Sequence, residues 1–179
     1  MKPKDIIRIA LATTFLLLVP LSAMHLTDEV AWSPVDFAVA GLLLFSTGLT
    51  YQFVSRKRNT IAYRIAVGVA LAVALFLVWV NLAVGGIIGE HGSSANLVYL
   101  GILAVGIGGA VIVHFQSQGM ARALFATALA HALVTVVLLV CDGFSHSVIV
   151  NGFFVAAWVG SGLLFHWASR EDAGADPAT

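Results

Sequence analysis

Six apolar stretches, each about the length of a membrane-spanning helix, fill most of this 179-residue sequence. They cover residues 6–24, 37–54, 62–88, 97–115, 123–141 and 148–167. A helix needs about 20 mostly apolar residues to cross a bilayer, and these stretches lack the alternating pattern of barrel strands. We therefore expect an all-α membrane protein, a six-transmembrane-helix bundle. It would form a single domain over residues 1–170, followed by a disordered cytoplasmic tail over residues 171–179.

The composition excludes most classes of soluble protein. Residues of the set AVILMFWYC make up 60% of the chain and charged residues 10%, against about 45–50% and about 25% in ordinary soluble domains. Lys and Arg total 9 and Asp and Glu total 9, so there is no basic excess for binding nucleic acid. The single cysteine permits no intrachain disulfide. The expected partner is the lipid bilayer, together with other membrane proteins or a second copy of the chain.

The positive charges indicate the orientation. All 9 Lys and Arg residues fall on one side of the six-span arrangement, and the positive-inside rule makes this side cytoplasmic, with both termini inside. An alternative interpretation concerns the first span, because a basic start, an apolar run and Leu21-Ser22-Ala23 also resemble a cleaved secretory signal. Its removal would leave five spans and an external N-terminus.

The spans also suggest three helical hairpins related by a pseudo-repeat. Arg8, Arg64 and Arg122 each open one span of a pair and lie 56 and 58 residues apart. The returning spans open with Asp36, Asn96 and Asn151, which we expect to act as N-caps. Arginines and caps are also common at any helix boundary, so the repeat remains one of two interpretations.

Packing and interfacial residues can be assigned from their types. Small residues at four-residue spacing predict close helix contacts in lipid, as in the pairs Ala66/Ala70, Gly106/Ala110, Ala126/Ala130 and Ala156/Gly160. Four aromatic residues near the predicted interfaces are interpreted as anchors, namely Tyr51, Tyr63, Tyr99 and Trp167.

Two polar side chains lie inside the predicted spans, His131 near the midplane and Asn81 in the outer part of the third span. An intramembrane ionisable group is a functional hypothesis by default. A neutral imidazole can relay protons or ligate a metal. It can equally form a hydrogen bond across the bundle, with Thr127, Thr135 or Asn81 as the expected partner, and we favour this structural interpretation. No Asp, Glu or Lys lies in the middle of a span, which argues against an ion-coupled transporter.

The outer connections combine histidines with carboxylates. The candidate metal ligands are His25, Glu29, Glu90, His91, Asp142 and His146. If the hairpin tips converge, these side chains suit Zn or Cu, and Mn less well. The alternative is that outer loops without Lys and Arg simply draw on the remaining polar residues. His114 and His166, at the cytoplasmic ends of their spans, are a further candidate pair, as axial ligands of one haem. No other cofactor and no catalytic motif is indicated.

Three stretches carry a resemblance to known sequences: VDFAVAGLLLFSTGLTYQ, YRIAVGVALAVALFLVWVNLAVGGIIG and GMARALFATALAHALV. They resemble an uncharacterised family of small bacterial multi-spanning integral membrane proteins. The resemblance implies a bacterial inner-membrane location and transfers no activity, cofactor or site residue. We expect a non-catalytic structural or accessory membrane protein. The alternative is a channel or facilitator for a small uncharged solute or a divalent metal.

Overall fold

The computed structural model describes residues 3–27, 30–58, 60–83, 87 and 94–174, and over these ranges it contains helices and no strand. The α-helices are α1 (Pro3–Leu26), α2 (Pro34–Ser55), α3 (Ile61–Ala83), α4 (Val98–Ile112), α5 (Ser117–Asp142) and α6 (His146–Gly174). A short 3₁₀ helix, Ser94–Leu97, directly precedes α4. The predicted all-α fold with six helices is confirmed.

Five of these helices, all except α4, are long and apolar enough to cross a membrane. This indicates a membrane protein. Helix α4 has only 15 residues, or about 22 Å of α-helix. The 3₁₀ helix before it adds about 8 Å, which together comes to about 30 Å, the thickness of the hydrocarbon layer.

Helix α4 ends at Ile112, three residues before the predicted end of the fourth span. His114 and Phe115 adopt φ values of 52° and 60°, in the left-handed region that a right-handed helix cannot include. The chain therefore turns here and enters α5 directly.

The described helices form two compact units, residues 1–56 and residues 57–179. In the N-terminal unit, α1 and α2 pair as an antiparallel hairpin. A Cβ atom built on Gly48 would lie 2.6 Å from Ile9 Cγ2, and one on Gly41 would lie 3.4 Å from Leu17 Cδ1. Arg56 Nη2 donates to Asp5 Oδ2 over 2.6 Å and closes the hairpin at the end opposite its connection.

Helix α2 begins with a capping box. Ser33 is the N-cap, its N–H donates to Asp36 Oδ2 (2.7 Å), and the Asp36 N–H donates to Ser33 Oγ (3.3 Å). Pro34 follows at the first helical position, where its missing N–H costs nothing. Asp36 is thus the third helical residue of the box rather than the predicted N-cap itself.

In the C-terminal unit, α6 packs against both α3 and α5, and α4 packs against α5. The rings of Tyr63 and Phe165 lie 5.4 Å apart, and those of Phe76 and Phe153 lie 6.4 Å apart. As residue numbers rise along α3, their partners on α6 fall, so these two helices are antiparallel.

Small residues bring these helices close together, as the sequence predicts for lipid-embedded packing. A Cβ atom on Gly109 would lie 2.8 Å from Ala123 Cβ, and one on Gly162 would lie 2.8 Å from Phe125 Cε1. The predicted contact residues Ala66, Ala70 and Ala110 are buried. Ala126 and Ala156 were also expected at contacts but are exposed. Helices α5 and α6 pack through faces other than the ones that carry these two alanines.

Three helix ends meet where the connections carry basic residues. Asp172 of α6 accepts hydrogen bonds from the hydroxyls of Thr60, just before α3, and Ser117, at the start of α5. Residues 171–174 were predicted to belong to the disordered tail, yet they continue α6 to Gly174. The two hydroxyls bonded to Asp172 give this last turn a fixed partner. Residues 175–179 lie outside the described residues. The single domain over 1–170 stays a prediction.

Candidate functional site: a buried polar network in the C-terminal unit

His131 of α5 is fully buried, and both of its ring nitrogens have partners. Its Nε2 atom lies 2.8 Å from Asn151 Oδ1, and Trp158 Nε1 lies 3.3 Å from its Nδ1 atom. A carboxamide oxygen can only accept and an indole N–H can only donate. The ring must therefore carry its hydrogen on Nε2 and leave Nδ1 bare, which defines a neutral imidazole of one tautomer.

Asn151 of α6 is the centre of the network and is also fully buried. Its Oδ1 atom accepts the His131 N–H and the Tyr99 hydroxyl of α4, the latter over 3.0 Å. Its Nδ2 atom donates to the carbonyl of Ser147 over 2.7 Å. One carboxamide thus joins α4, α5 and α6 through their side chains.

The network continues towards the connection between α3 and α4. The Ser147 hydroxyl donates to the Ile87 carbonyl (2.7 Å), and the Ile87 N–H donates to Asn96 Oδ1 (2.9 Å). Ser147, Asn151 and Trp158 are spaced by four and seven residues, so they share one face of α6. That face of α6 therefore carries polar groups at several levels along the helix.

Aromatic rings surround the imidazole. Phe154 stacks on His131 with ring centroids 5.8 Å apart and planes 13° apart, and the Tyr99 ring lies 5.7 Å from it. Phe76 of α3 packs against Phe154 at 5.6 Å. These rings exclude water, and a hydrogen bond in such surroundings is electrostatically stronger than in solvent.

This arrangement limits the chemistry that His131 can perform. Coordination of a metal needs a free nitrogen lone pair, and the single bare nitrogen already accepts from Trp158. A proton relay needs groups that both accept and release a proton, whereas an indole N–H donates only. The geometry is that of a saturated hydrogen-bond junction between helices.

The partners predicted for His131 are not the ones observed. The Thr127 hydroxyl donates to the Ala123 carbonyl, and the Thr135 hydroxyl donates to the main-chain carbonyl of His131 rather than to its ring. Both threonine hydroxyls therefore bond to main-chain carbonyls of α5 itself, as hydroxyls in apolar helices often do.

Asn81 is the second predicted intramembrane residue. Its Nδ2 atom donates to the Leu77 carbonyl over 2.8 Å, and its buried Oδ1 atom has no hydrogen-bond partner among the residues that the structure describes. Because a carbonyl can only accept, the orientation of this amide is determined. Asn81 follows fully buried Leu77 by one turn, so it extends the packed face of α3 towards the C-terminal end of that helix.

Sequence reasoning also misassigned Asn151, Tyr99 and Tyr63. Helix α6 begins at His146, so Asn151 lies more than one turn inside it and cannot cap it. Tyr99 and Tyr63 were expected as interfacial anchors, but they are 2% and 0% exposed. The Tyr63 hydroxyl donates to the Phe115 carbonyl over 2.6 Å. The four-residue spacing of Ser147 and Asn151 was the available signal for a polar helix face.

The structure reaches only part of the predicted outer metal site. His25 and His146 are exposed. Glu29, Glu90 and His91 lie outside the described residues, as does the side chain of Asp142, the last residue of α5. Within the described ranges, no three His, Cys, Asp or Glu side chains lie close enough together to hold a metal ion. The outer metal site stays a prediction, as does the haem candidate, whose two histidines are exposed.

The helices and this network define a class of protein, an all-helical membrane protein with an internal hydrogen-bonded junction. Comparison with known proteins finds no matching family model, no similar curated protein and no similar solved structure. The resemblance to small bacterial multi-spanning proteins therefore stays a prediction.

Proposed function

We propose that this chain is an integral protein of a bacterial inner membrane with a structural or accessory role and no catalysis. The observation that carries the proposal is the saturation of His131, whose two ring nitrogens are bonded to Asn151 and Trp158. Neither partner can take up or release a proton at neutral pH, and neither ring nitrogen is left free for a metal ion, so these bonds favour a structural histidine.

The network suits this role because of how helices associate in lipid. Apolar burial gives little driving force there, so packing and interhelical hydrogen bonds decide which helices stay together. Asn151 bonds directly to side chains of α4 and α5. A chain fixed in this way can present constant surfaces to a partner membrane protein.

The proposed orientation has both termini in the cytoplasm. In the C-terminal unit, the start of α3, the start of α5 and the end of α6 meet at Asp172, and the basic residues of this unit lie near that end. In the N-terminal unit, Arg56 and Asp5 bring the basic ends of α1 and α2 together. Each unit thus agrees with the positive-inside rule.

The single native cysteine tests this orientation. Cys141 is exposed and lies at the end of α5 opposite Ser117. A membrane-impermeant maleimide should label Cys141 in spheroplasts and not in sealed inside-out vesicles. Cys141→Ser with Arg170→Cys should show the reverse pattern. Labelling of both sites from the same side would contradict the proposed topology.

The absence of transport and metal binding is tested with purified chain. We expect liposomes containing the protein to pass glycerol and urea no faster than empty liposomes. Elemental analysis should find no stoichiometric Zn, Cu or Mn. Metal that is bound by the native chain and lost in a triple His25→Ala, His91→Ala, His146→Ala variant would contradict the structural role and support the outer metal site.

A facilitator for small uncharged solutes is the second candidate, and Asn81 is the observation that favours it. A buried carbonyl without a donor costs about 1–3 kcal/mol, and a passing hydroxyl or amide could satisfy it. This candidate predicts solute flux in the same liposomes and its reduction by Asn81→Leu. Thr135→Val is the matched control, because that hydroxyl is already bonded within its own helix. Flux that is equal in both variants would exclude a role for Asn81.

A further inference from the structure

Four arginines at one end of the C-terminal unit have no anionic partner in the described part of the chain. They are Arg58, Arg64, Arg122 and Arg170, and all four are exposed. The acidic residues nearest along the chain are Glu171, which is exposed, and Asp172. Among the described residues, this end therefore carries more positive than negative charge.

Asp172 is already engaged by other groups. Its two carboxylate oxygens accept from the hydroxyls of Thr60 and Ser117. These hydroxyls lie at the N-terminal ends of α3 and α5, where the helix dipole favours a negative charge. The Asp172 carboxylate is thus bonded to groups at the helix ends, and in the described ranges it forms no ion pair with any of the four arginines.

The same bonds bring the arginines towards one place. Each of the four lies between two and five residues along the chain from Thr60, Ser117 or Asp172. For Arg64, Arg122 and Arg170, which lie in helices, this corresponds to about 3–8 Å along the helix axis at 1.5 Å per residue, whereas Arg58 lies in the connection before α3. Three different helices therefore contribute cations to the end of the unit at which this carboxylate is bonded.

A fifth cation, Lys57, lies over the turn between α4 and α5. The Phe115 carbonyl accepts a hydrogen bond from the buried Tyr63 hydroxyl, and Lys57 Nζ lies 5.9 Å from the centroid of the Phe115 ring. Interior hydrogen bonds hold the main chain here, so the basic side chains extend from a fixed framework.

We propose that this arginine cluster, Arg58, Arg64, Arg122 and Arg170, binds the phosphodiester headgroup of an anionic phospholipid. The inference rests on the membrane placement proposed above. Guanidinium groups match phosphate oxygens with paired hydrogen bonds, and lipid phosphates are the anions found at the ends of spanning helices. A zwitterionic headgroup carries its own ammonium, which the surrounding arginines repel, so the cluster selects lipids of net negative charge.

The test compares how strongly two lipids associate with the 179-residue chain. The protein is reconstituted into phosphatidylcholine vesicles with trace spin-labelled phosphatidylglycerol or spin-labelled phosphatidylcholine, and electron spin resonance gives their relative association. We expect a preference for phosphatidylglycerol that Arg122→Gln with Arg170→Gln lowers by about fivefold per arginine removed. The matched control, Lys4→Gln with Arg8→Gln in α1, removes the same charge outside the cluster; if the cluster is the site, this change should alter the preference by less than about twofold.

Each other outcome overturns the inference. An equal loss in both pairs of variants would show that any cation serves, and the absence of a preference in the native chain would show that there is no site. Displacement of the labelled lipid by inorganic phosphate would identify a site for a free anion. In all three cases the chain still sediments with the vesicles, so the proposed membrane placement would stand. Circular dichroism confirms that the variants keep their helices.

Discussion

The N-terminal hairpin and the C-terminal unit are both built from apolar helices, yet each is held together differently. Helix α1 has no buried residue, whereas α6 has eight. The hairpin depends on side chains resting against Gly41 and Gly48 and on one ion pair near its end. The C-terminal unit adds a hydrogen-bonded network in its interior.

This difference shows where specificity resides in a chain made mostly of Leu, Val and Ala. In lipid, an exposed apolar side chain costs little, so hydropathy does not choose one helix partner over another. Groups such as Asn151 and His131 do choose, because each is satisfied in only one arrangement of α4, α5 and α6. We therefore expect the stability of the fold to be concentrated in the C-terminal unit.

The largest effect should come from the centre of the network. Asn151→Leu removes the acceptor of Tyr99 and His131 and leaves two buried donors unpaired, so we expect a loss of about 2 kcal/mol in the free energy of unfolding. Denaturation of the detergent-solubilised chain, followed by tryptophan fluorescence, measures it. Ser161→Ala is the control, since that buried hydroxyl bonds only within its own helix. If both variants lost the same small amount of unfolding free energy, the network would not be what distinguishes the C-terminal unit from the hairpin.

A smaller effect should come from the α4–α5 contact. A methyl group on Gly109 would meet Ala123 at 2.8 Å, whereas one on Gly108 would meet nothing within 4 Å. Gly109→Ala should therefore cost about 1–2 kcal/mol by separating the helices. Gly108→Ala should be neutral or stabilising by up to about 1 kcal/mol, because alanine favours the helix. The same unfolding assay compares the two variants. If Gly109→Ala were neutral or stabilising, as expected of Gly108→Ala, α4 would not be closely packed against α5.

The smallest effect should come from the hairpin ion pair. The side chains of Arg56 and Asp5 are 45% and 13% exposed, and ion pairs of this kind contribute about 0–1 kcal/mol. Arg56→Gln should lower the midpoint of thermal unfolding only slightly, and less so at high salt, where charges are screened. If Arg56→Gln destabilised the chain as much as Asn151→Leu, stability would not be concentrated in the C-terminal unit.

Hydropathy was enough to predict the number of helices and their approximate positions, because twenty apolar residues in a row leave few alternatives. It could not place the end of α4, which depends on two residues in left-handed conformations, His114 and Phe115. It also placed Asn151 at a helix boundary, since a polar residue beside an apolar run is usually a cap. The partners of His131 depend on which helix faces meet, and tertiary packing decides that.

The state of the His131 ring tests the central claim most directly. Nitrogen-15 NMR of histidine-labelled chain in bilayers at neutral pH, assigned with His131→Gln, reports which ring nitrogen carries hydrogen. A structural junction predicts a neutral imidazole with hydrogen on Nε2 and a bare Nδ1 that accepts from Trp158. Hydrogen on Nδ1, a doubly protonated ring, or rapid exchange with bulk water would contradict it, because the ring would then be available for chemistry.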